Sequence, residues 1–206
     1  MNFLAHALLS GTDGDILLGN LMADFLKPGT PVPTCNGVQR GIEWHYKIDR
    51  FMDSHPVVAQ SRARLFGEYR HYSAVLVDLF YDHLLAIHWA KFCEKPLQEY
   101  AVEVYKQLRE REEMMPPRMR EVVPAMMEGD WLVSYGTTEG ICYALSRVQR
   151  RASRNQNIAD SWDDFARDKA LYEAEFLEFM PLILKEREGV VTRLNRQRPS
   201  ADTRGE

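Results

Sequence analysis

Residues 73–92, SAVLVDLFYDHLLAIHWAKF, are apolar on nearly every side of a helical wheel. A helix of that kind is stable in water only when other elements enclose it, so the rest of the chain has to wrap around it. Elsewhere apolar residues recur mostly at three and four, strand-like alternation is scarce, and Gly and Pro cluster between long periodic segments. That pattern specifies an all-α, single-domain helical bundle. The spacing predicts helices near 14–27, 37–54, 57–67, 70–93, 97–114, 118–128, 139–154 and 161–195, with residues 1–195 as one domain and 196–206 as a frayed polar tail. The loop at 28–35 carries three prolines and breaks helix. Asn36 is expected to cap the helix after it, Ser161 with Asp164 to form a capping box, and Pro181 to kink or split the last helix.

A central helix this apolar should contain no unpartnered charge, yet Asp78, Asp82, His83 and His88 lie within it. Asp78 and Asp82 share a face with Leu85 and Trp89. A second helix, VQRGIEWHYKIDRFMD, has Val38, Ile42 and Met52 on one stripe, with His45 and Asp49 in the middle of it. Burying a carboxylate without partners costs several kcal/mol, roughly, so this i,i+4 pair needs each other, further polar groups or a metal. Either a structural His–Asp hydrogen bond or a ligand pair satisfies that requirement. A third segment, GNLMADFLKP, sets Asp24 between Ala23 and Phe25, and His6 lies in the apolar stretch MNFLAHALLS. Nitrogen and oxygen donors without a thiolate suit Mn²⁺, Fe²⁺ or Mg²⁺. The cysteines, Cys35, Cys93 and Cys142, are odd in number and widely spaced, which argues against a disulfide framework or a cysteine-type zinc site and for free core thiols.

In order and spacing, MNFLAH, GNLMADF at 19–25, GIEWHYKIDRFMDSHPVV at 41–58, VDLFYDHLLAIHW at 77–89 and DWLVSYG at 130–136 resemble the acyl carrier protein phosphodiesterases. That family is regarded as a divergent branch of the HD phosphohydrolase superfamily. The resemblance implies an all-helical fold and a divalent metal, usually manganese, with Mg²⁺ or Fe²⁺ fitting the same donors. It also implies hydrolysis of the phosphodiester joining 4′-phosphopantetheine to a serine of acyl carrier protein. By motif position it gives Asp24, His45, Asp78, Asp82 and His83 as metal ligands, and His6, Asp24, His45 and Asp49 as catalytic residues. His6, His71 and His88 are the general-acid candidates. The family commonly has Arg directly after the motif histidine, where this chain has Tyr46, and the order of His and Asp departs from that of ordinary HD enzymes.

The 26 Lys and Arg against 30 Asp and Glu give a net charge of −4, which excludes a globally basic nucleic-acid binder. No stretch approaches 18 uninterrupted apolar residues, and the first ten residues lack the basic start of a secretory signal. A cytoplasmic protein without a membrane or nucleic-acid partner is therefore expected. Charge is nonetheless segregated. Arg147, Arg150, Arg151 and Arg154 fall within about 100° of one another on a helical wheel, with no acidic residue from Gly140 to Ala159. That stripe suits acyl carrier protein, a strongly acidic partner. Met114, Met115, Met126 and Met127 read as core gap-fillers, or as the lining of a channel for an acyl-pantetheine arm. Three other functions stay open: an HD-type nucleotide phosphohydrolase, a non-catalytic helical module binding acyl carrier protein, and a di-iron oxidase, for which only Glu68-Tyr-Arg-His71 fits the required motif.

Overall fold

The computed structural model describes residues 2–152 and 157–196, without the side chains of 188–196. Eleven α-helices and no strands occur among the described residues. They are α1 (Phe3–Ser10), α2 (Gly14–Met22), α3 (Asn36–Ser54), α4 (Pro56–Tyr69), α5 (Tyr72–Ile87), α6 (Leu97–Arg109), α7 (Pro117–Glu128), α8 (Trp131–Ser134), α9 (Thr138–Gln149), α10 (Ser161–Arg167) and α11 (Lys169–Arg196). Short 3₁₀ turns extend α2 through Ala23–Phe25 and α5 through Trp89–Lys91.

The all-round apolar helix is α5, and it is central as its composition requires. Eleven of its residues are buried, among them Leu76, Phe80, Tyr81 and Leu85. It packs against α1, α4, α9 and α11. Across the molecule, α2 and α3 make the tightest pairing. Gly19 and Gly41 sit where the two helix backbones touch, and a Cβ at either would run into a carbonyl oxygen of the other helix, that of Val38 or Ile16. Removing both side chains lets the axes approach closely, which brings residues following Gly19 up against residues following Gly41.

Several boundaries differ from those expected. The chain bends out of helix at Asp168, between α10 and α11, and α11 runs on through Pro181. Asn36 lies inside the first turn of α3, whose N-cap is Cys35 with no side-chain cap bond. Ser161 Oγ donates to the Ile158 carbonyl at 2.6 Å and Asp164 accepts from the Tyr69 hydroxyl at 2.6 Å, so neither forms the predicted capping box. The short helices α1 and α8 were not among the predicted ones; α1 is buried along its whole length. The three cysteines are free and half-buried rather than core thiols, with Cys35 and Cys93 at the core margin. Of the expected tail at 196–206, Arg196 is the last residue of α11 and the rest lies outside the described residues. No described helix is long and apolar enough to cross a membrane.

Candidate functional site

Close contact between α2 and α3, with α1 laid against both, assembles a cluster of imidazoles and carboxylates. His6 comes from α1, His45 and Asp49 from successive turns of α3, and Asp24 from the 3₁₀ turn after α2. His45 Nε2 lies 3.1 Å from Asp49 Oδ2 and 3.5 Å from Asp24 Oδ1, while His6 Nε2 lies 3.3 Å from Asp49 Oδ1. The two imidazole rings stack with centroids 4.2 Å apart. Both histidines are buried, whereas the side chains of Asp49 and Asp24 are 39% and 46% exposed. The cluster therefore has a closed imidazole floor and an open carboxylate side through which a substrate could approach.

The hydrogen bonds of Asn20 determine the tautomer of His6. Asn20 is wholly buried on α2. Its amide nitrogen donates to the His6 carbonyl at 3.0 Å and to Ser10 Oγ at 2.9 Å, and Ser10 Oγ in turn donates to the His6 carbonyl at 2.7 Å. With the nitrogen committed to two acceptors, the Asn20 oxygen is the atom facing His6 Nδ1, at 2.7 Å. Nδ1 must then carry the proton, so in the neutral ring Nε2 is a bare lone pair aimed at Asp49. Burial, opposed by Asp49, lowers the pKa of His6 and favours that neutral ring. His6 Nε2 is accordingly buried without a hydrogen-bond partner. A lone pair facing a carboxylate oxygen at 3.3 Å is repulsive unless a cation lies between them.

At His45 burial again works to lower the pKa, but the hydrogen bond to Asp49 and the charges of Asp24 and Asp49 prevail and raise it. Burial works to raise the pKa of Asp49, but the lowering contacts, the hydrogen bond from His45 first among them, prevail and hold it well below the usual carboxylate range. It is thus held as the carboxylate. His6, His45 and Asp49 each offer a ligand atom within 4.8 Å of the others, an arrangement that could hold a metal ion. Asp24 adds a second carboxylate beside His45. Two imidazole nitrogens and carboxylate oxygens without sulfur fit a divalent ion of the Mn²⁺ or Fe²⁺ type, and Mg²⁺ less closely.

The remaining predicted ligands lie elsewhere. Asp82, wholly buried, turns both oxygens to the start of α1, accepting from the backbone N–H groups of Leu4 at 2.8 Å and Ala5 at 3.2 Å. Burial pushes its pKa up to about 7 against those two donors. His83 shares a hydrogen bond of 2.7 Å with the Tyr135 carbonyl through Nδ1 and packs edge-on against Trp162 and Phe165. Neither joins the cluster of His6, His45 and Asp49. Asp78 lines a groove that also reaches Asp24, and burial raises its carboxyl above the ordinary range. Of the general-acid candidates, His88 pairs with Glu173 at 2.7 Å and His71 is exposed against Tyr72, so both are committed away from the cluster. Tyr46, at the position where Arg is common, is 51% exposed and sets its ring edge against His45.

The arginine stripe divides. Arg150 and Arg151 are exposed beyond the end of α9, whereas Arg147 is half-buried with its guanidinium 3.2 Å from the centroid of Trp131. Arg154 lies outside the described residues. Among the methionines, Met126 is core, and Met115 and Met127 line a cavity of about 440 Å³ that contains none of the clustered residues. Asn20 escaped the sequence reading, although an amide inside the otherwise apolar run ILLGNLM was a signal of the same kind as His45 and Asp49.

Comparison with known proteins gives the family. The family model described as acyl carrier protein phosphodiesterase matches residues 1–183. A protein of Photorhabdus laumondii named acyl carrier protein phosphodiesterase is 29% identical over 189 residues, covering 91% of this chain and 96% of that protein. One of the same name from Escherichia coli O157:H7 is 31% identical over 185 residues, covering 89% and 96%. No solved structure matches significantly. The chain belongs to the acyl carrier protein phosphodiesterase family.

Proposed function

We propose that the chain is a metal-dependent phosphodiester hydrolase that removes 4′-phosphopantetheine from the serine of holo-acyl carrier protein, releasing apo carrier protein. The observation that carries this reading is the bare His6 Nε2 held 3.3 Å from the ionised Asp49 in a chain whose relatives bear that enzyme's name. His6, His45 and Asp49 would hold the ion, and Asp24 would complete the set on the open side. Manganese is the ion expected from the family resemblance. When bound, such an ion polarises a phosphoryl oxygen and lowers the pKa of a water molecule toward neutrality. Asn20 holds His6 in the tautomer that presents Nε2. His45, whose pKa is raised by Asp49 and Asp24, would give up its proton when the site is loaded, so metal affinity should rise with pH. Asp24, exposed at the rim, is positioned to orient the attacking water. Asp82 acts on the site at one remove, through the N-terminus of the helix that carries His6.

Recognition of the carrier protein is assigned to Arg150 and Arg151, exposed beside the groove mouth and free of ion pairs among the described residues. Their charge suits an acidic partner and steers its approach.

The test is Asp49→Asn, which keeps the side-chain shape and removes the charge. The purified variant is expected to lose stoichiometric metal by elemental analysis and hydrolysis of holo carrier protein together, with far-UV helicity retained. Full metal content and full turnover would refute the assignment.

A further inference from the structure

The 760 Å³ groove that reaches Asp24 has a use the cluster alone does not explain. Its floor is a ladder of rings. Phe25, next to Asp24, stacks on Phe3 with centroids 6.2 Å apart, Phe3 lies 6.3 Å from Trp131, and the Arg147 guanidinium lies over the Trp131 ring. Val75 and Leu79 of α5 and Val122 of α7 supply further apolar wall. The groove therefore opens at Asp24 on the carboxylate side of the cluster, and these apolar side chains share its wall with charged ones, among them Lys27, Arg118, Glu121 and Arg147. Arg147 has no carboxylate within ion-pairing distance among the described residues. Burial and the nearby Arg151 and Arg150 all disfavour its charge, with the tyrosine rings opposing. A guanidinium held in that setting is a donor set awaiting an acceptor.

We propose that this groove seats the substrate's flexible arm, an extended amide-linked chain whose phosphate end is at the Asp24 end and whose body lies along Phe25, Phe3 and Trp131. The inference rests on the hydrolase reading above and adds to it where the leaving half of the substrate lies. A phosphodiester between a protein serine and a flexible arm has a bulky partner on one side of phosphorus and a thin chain on the other, and a groove continuous with the cluster admits only the thin one. The methylene and gem-dimethyl units of the arm match the aromatic floor, and its amide carbonyls match the donors of Arg147. Arg147 thereby belongs to the arm, while Arg150 and Arg151, exposed where the same groove meets the surface, remain for the carrier. The cavity beside Met115 and Met127 shares none of this continuity with the cluster.

Ala125 is exposed on α7 and lines the groove, so a larger side chain there fills space without entering the core. Ala125→Trp is expected to raise KM for holo carrier protein at least tenfold and to weaken inhibition by free 4′-phosphopantetheine to the same degree. Ala125→Leu should give an intermediate loss and serves as the probe if the larger substitution misfolds. Affinity for apo carrier protein, which lacks the arm, should be unchanged in both. Wild-type KM and wild-type inhibition in both variants would overturn the proposal. A parallel loss of apo-carrier affinity would overturn it too, because the carrier surface would then be the occupant. Holo carrier protein left intact by the unsubstituted protein would instead bring down the hydrolase reading, a result separate from the variant comparison.

Discussion

At the scale of single residues, the site turns on which nitrogen of His6 carries its proton. Asn20 decides this from a position that never touches the cluster's centre. Asn20→Leu removes the acceptor, leaves Nδ1–H buried without a partner at a cost of about 1–3 kcal/mol, and frees the ring to present either tautomer. Metal affinity measured by calorimetry should fall about 10–100-fold, with hydrolysis falling in step when metal is limiting. Unchanged affinity would show that the tautomer is irrelevant to binding. The His45–Asp49 pair was legible in the sequence because its logic is local: two polar residues one turn apart in the middle of an apolar stripe. Asp82 raised the same alarm for a different reason. Its partners, the N–H groups of Leu4 and Ala5, lie 78 and 77 residues away, and a helix start that satisfies a buried carboxylate leaves no trace in the spacing around that carboxylate.

At the scale of elements, the glycine contact between α2 and α3 is what turns separate motifs into one site. Asn20 follows Gly19, and His45 lies one turn after Gly41. A methyl group at Gly41 meets the Ile16 carbonyl and the backbone of Gly19, so Gly41→Ala must push the helices apart. That should cost about 2 kcal/mol or more, read as a lowered midpoint in urea, and metal affinity should weaken as His45 and Asp49 withdraw from His6. A variant with unaltered stability and affinity would contradict the close-contact account. Long periodic helices such as α3 and α5 were readable because their burial pattern is helical. The eight residues of α1 are buried on every side and carry no such pattern, so their helix could not be inferred from periodicity. Pro181, expected to kink or split the last helix, does not split it, for a reason that is not local. A proline inside a helix costs about 3 kcal/mol, yet α11 continues past it because Phe179, Met180 and Ile183 are wholly buried around that point. Tertiary burial outweighed a local preference.

Over the whole molecule, the net charge of −4 conceals a division of labour. Acids gather at the cluster, where a cation would offset them, and exposed arginines flank the groove beside it. Charge reversal at Arg150→Glu with Arg151→Glu should raise KM for holo carrier protein about tenfold or more and flatten its dependence on salt, while hydrolysis of a small phosphodiester stays at the wild-type rate. Equal effects on both substrates would remove the docking role. The fold class and the basic stripe were legible in the sequence as patterns. The groove joining cluster to surface was not, since it is formed where α1, α5, α7, α8 and α9 meet, and no one segment carries its outline. The central claim, that cluster, groove and surface act together on one phosphodiester, is tested most directly by incubating the purified protein with holo-acyl carrier protein and Mn²⁺ and weighing the intact carrier. Loss of the mass of 4′-phosphopantetheine, leaving apo carrier protein, is the predicted result; a carrier of unchanged mass with Mn²⁺, Mg²⁺ and Fe²⁺ each in turn would contradict it.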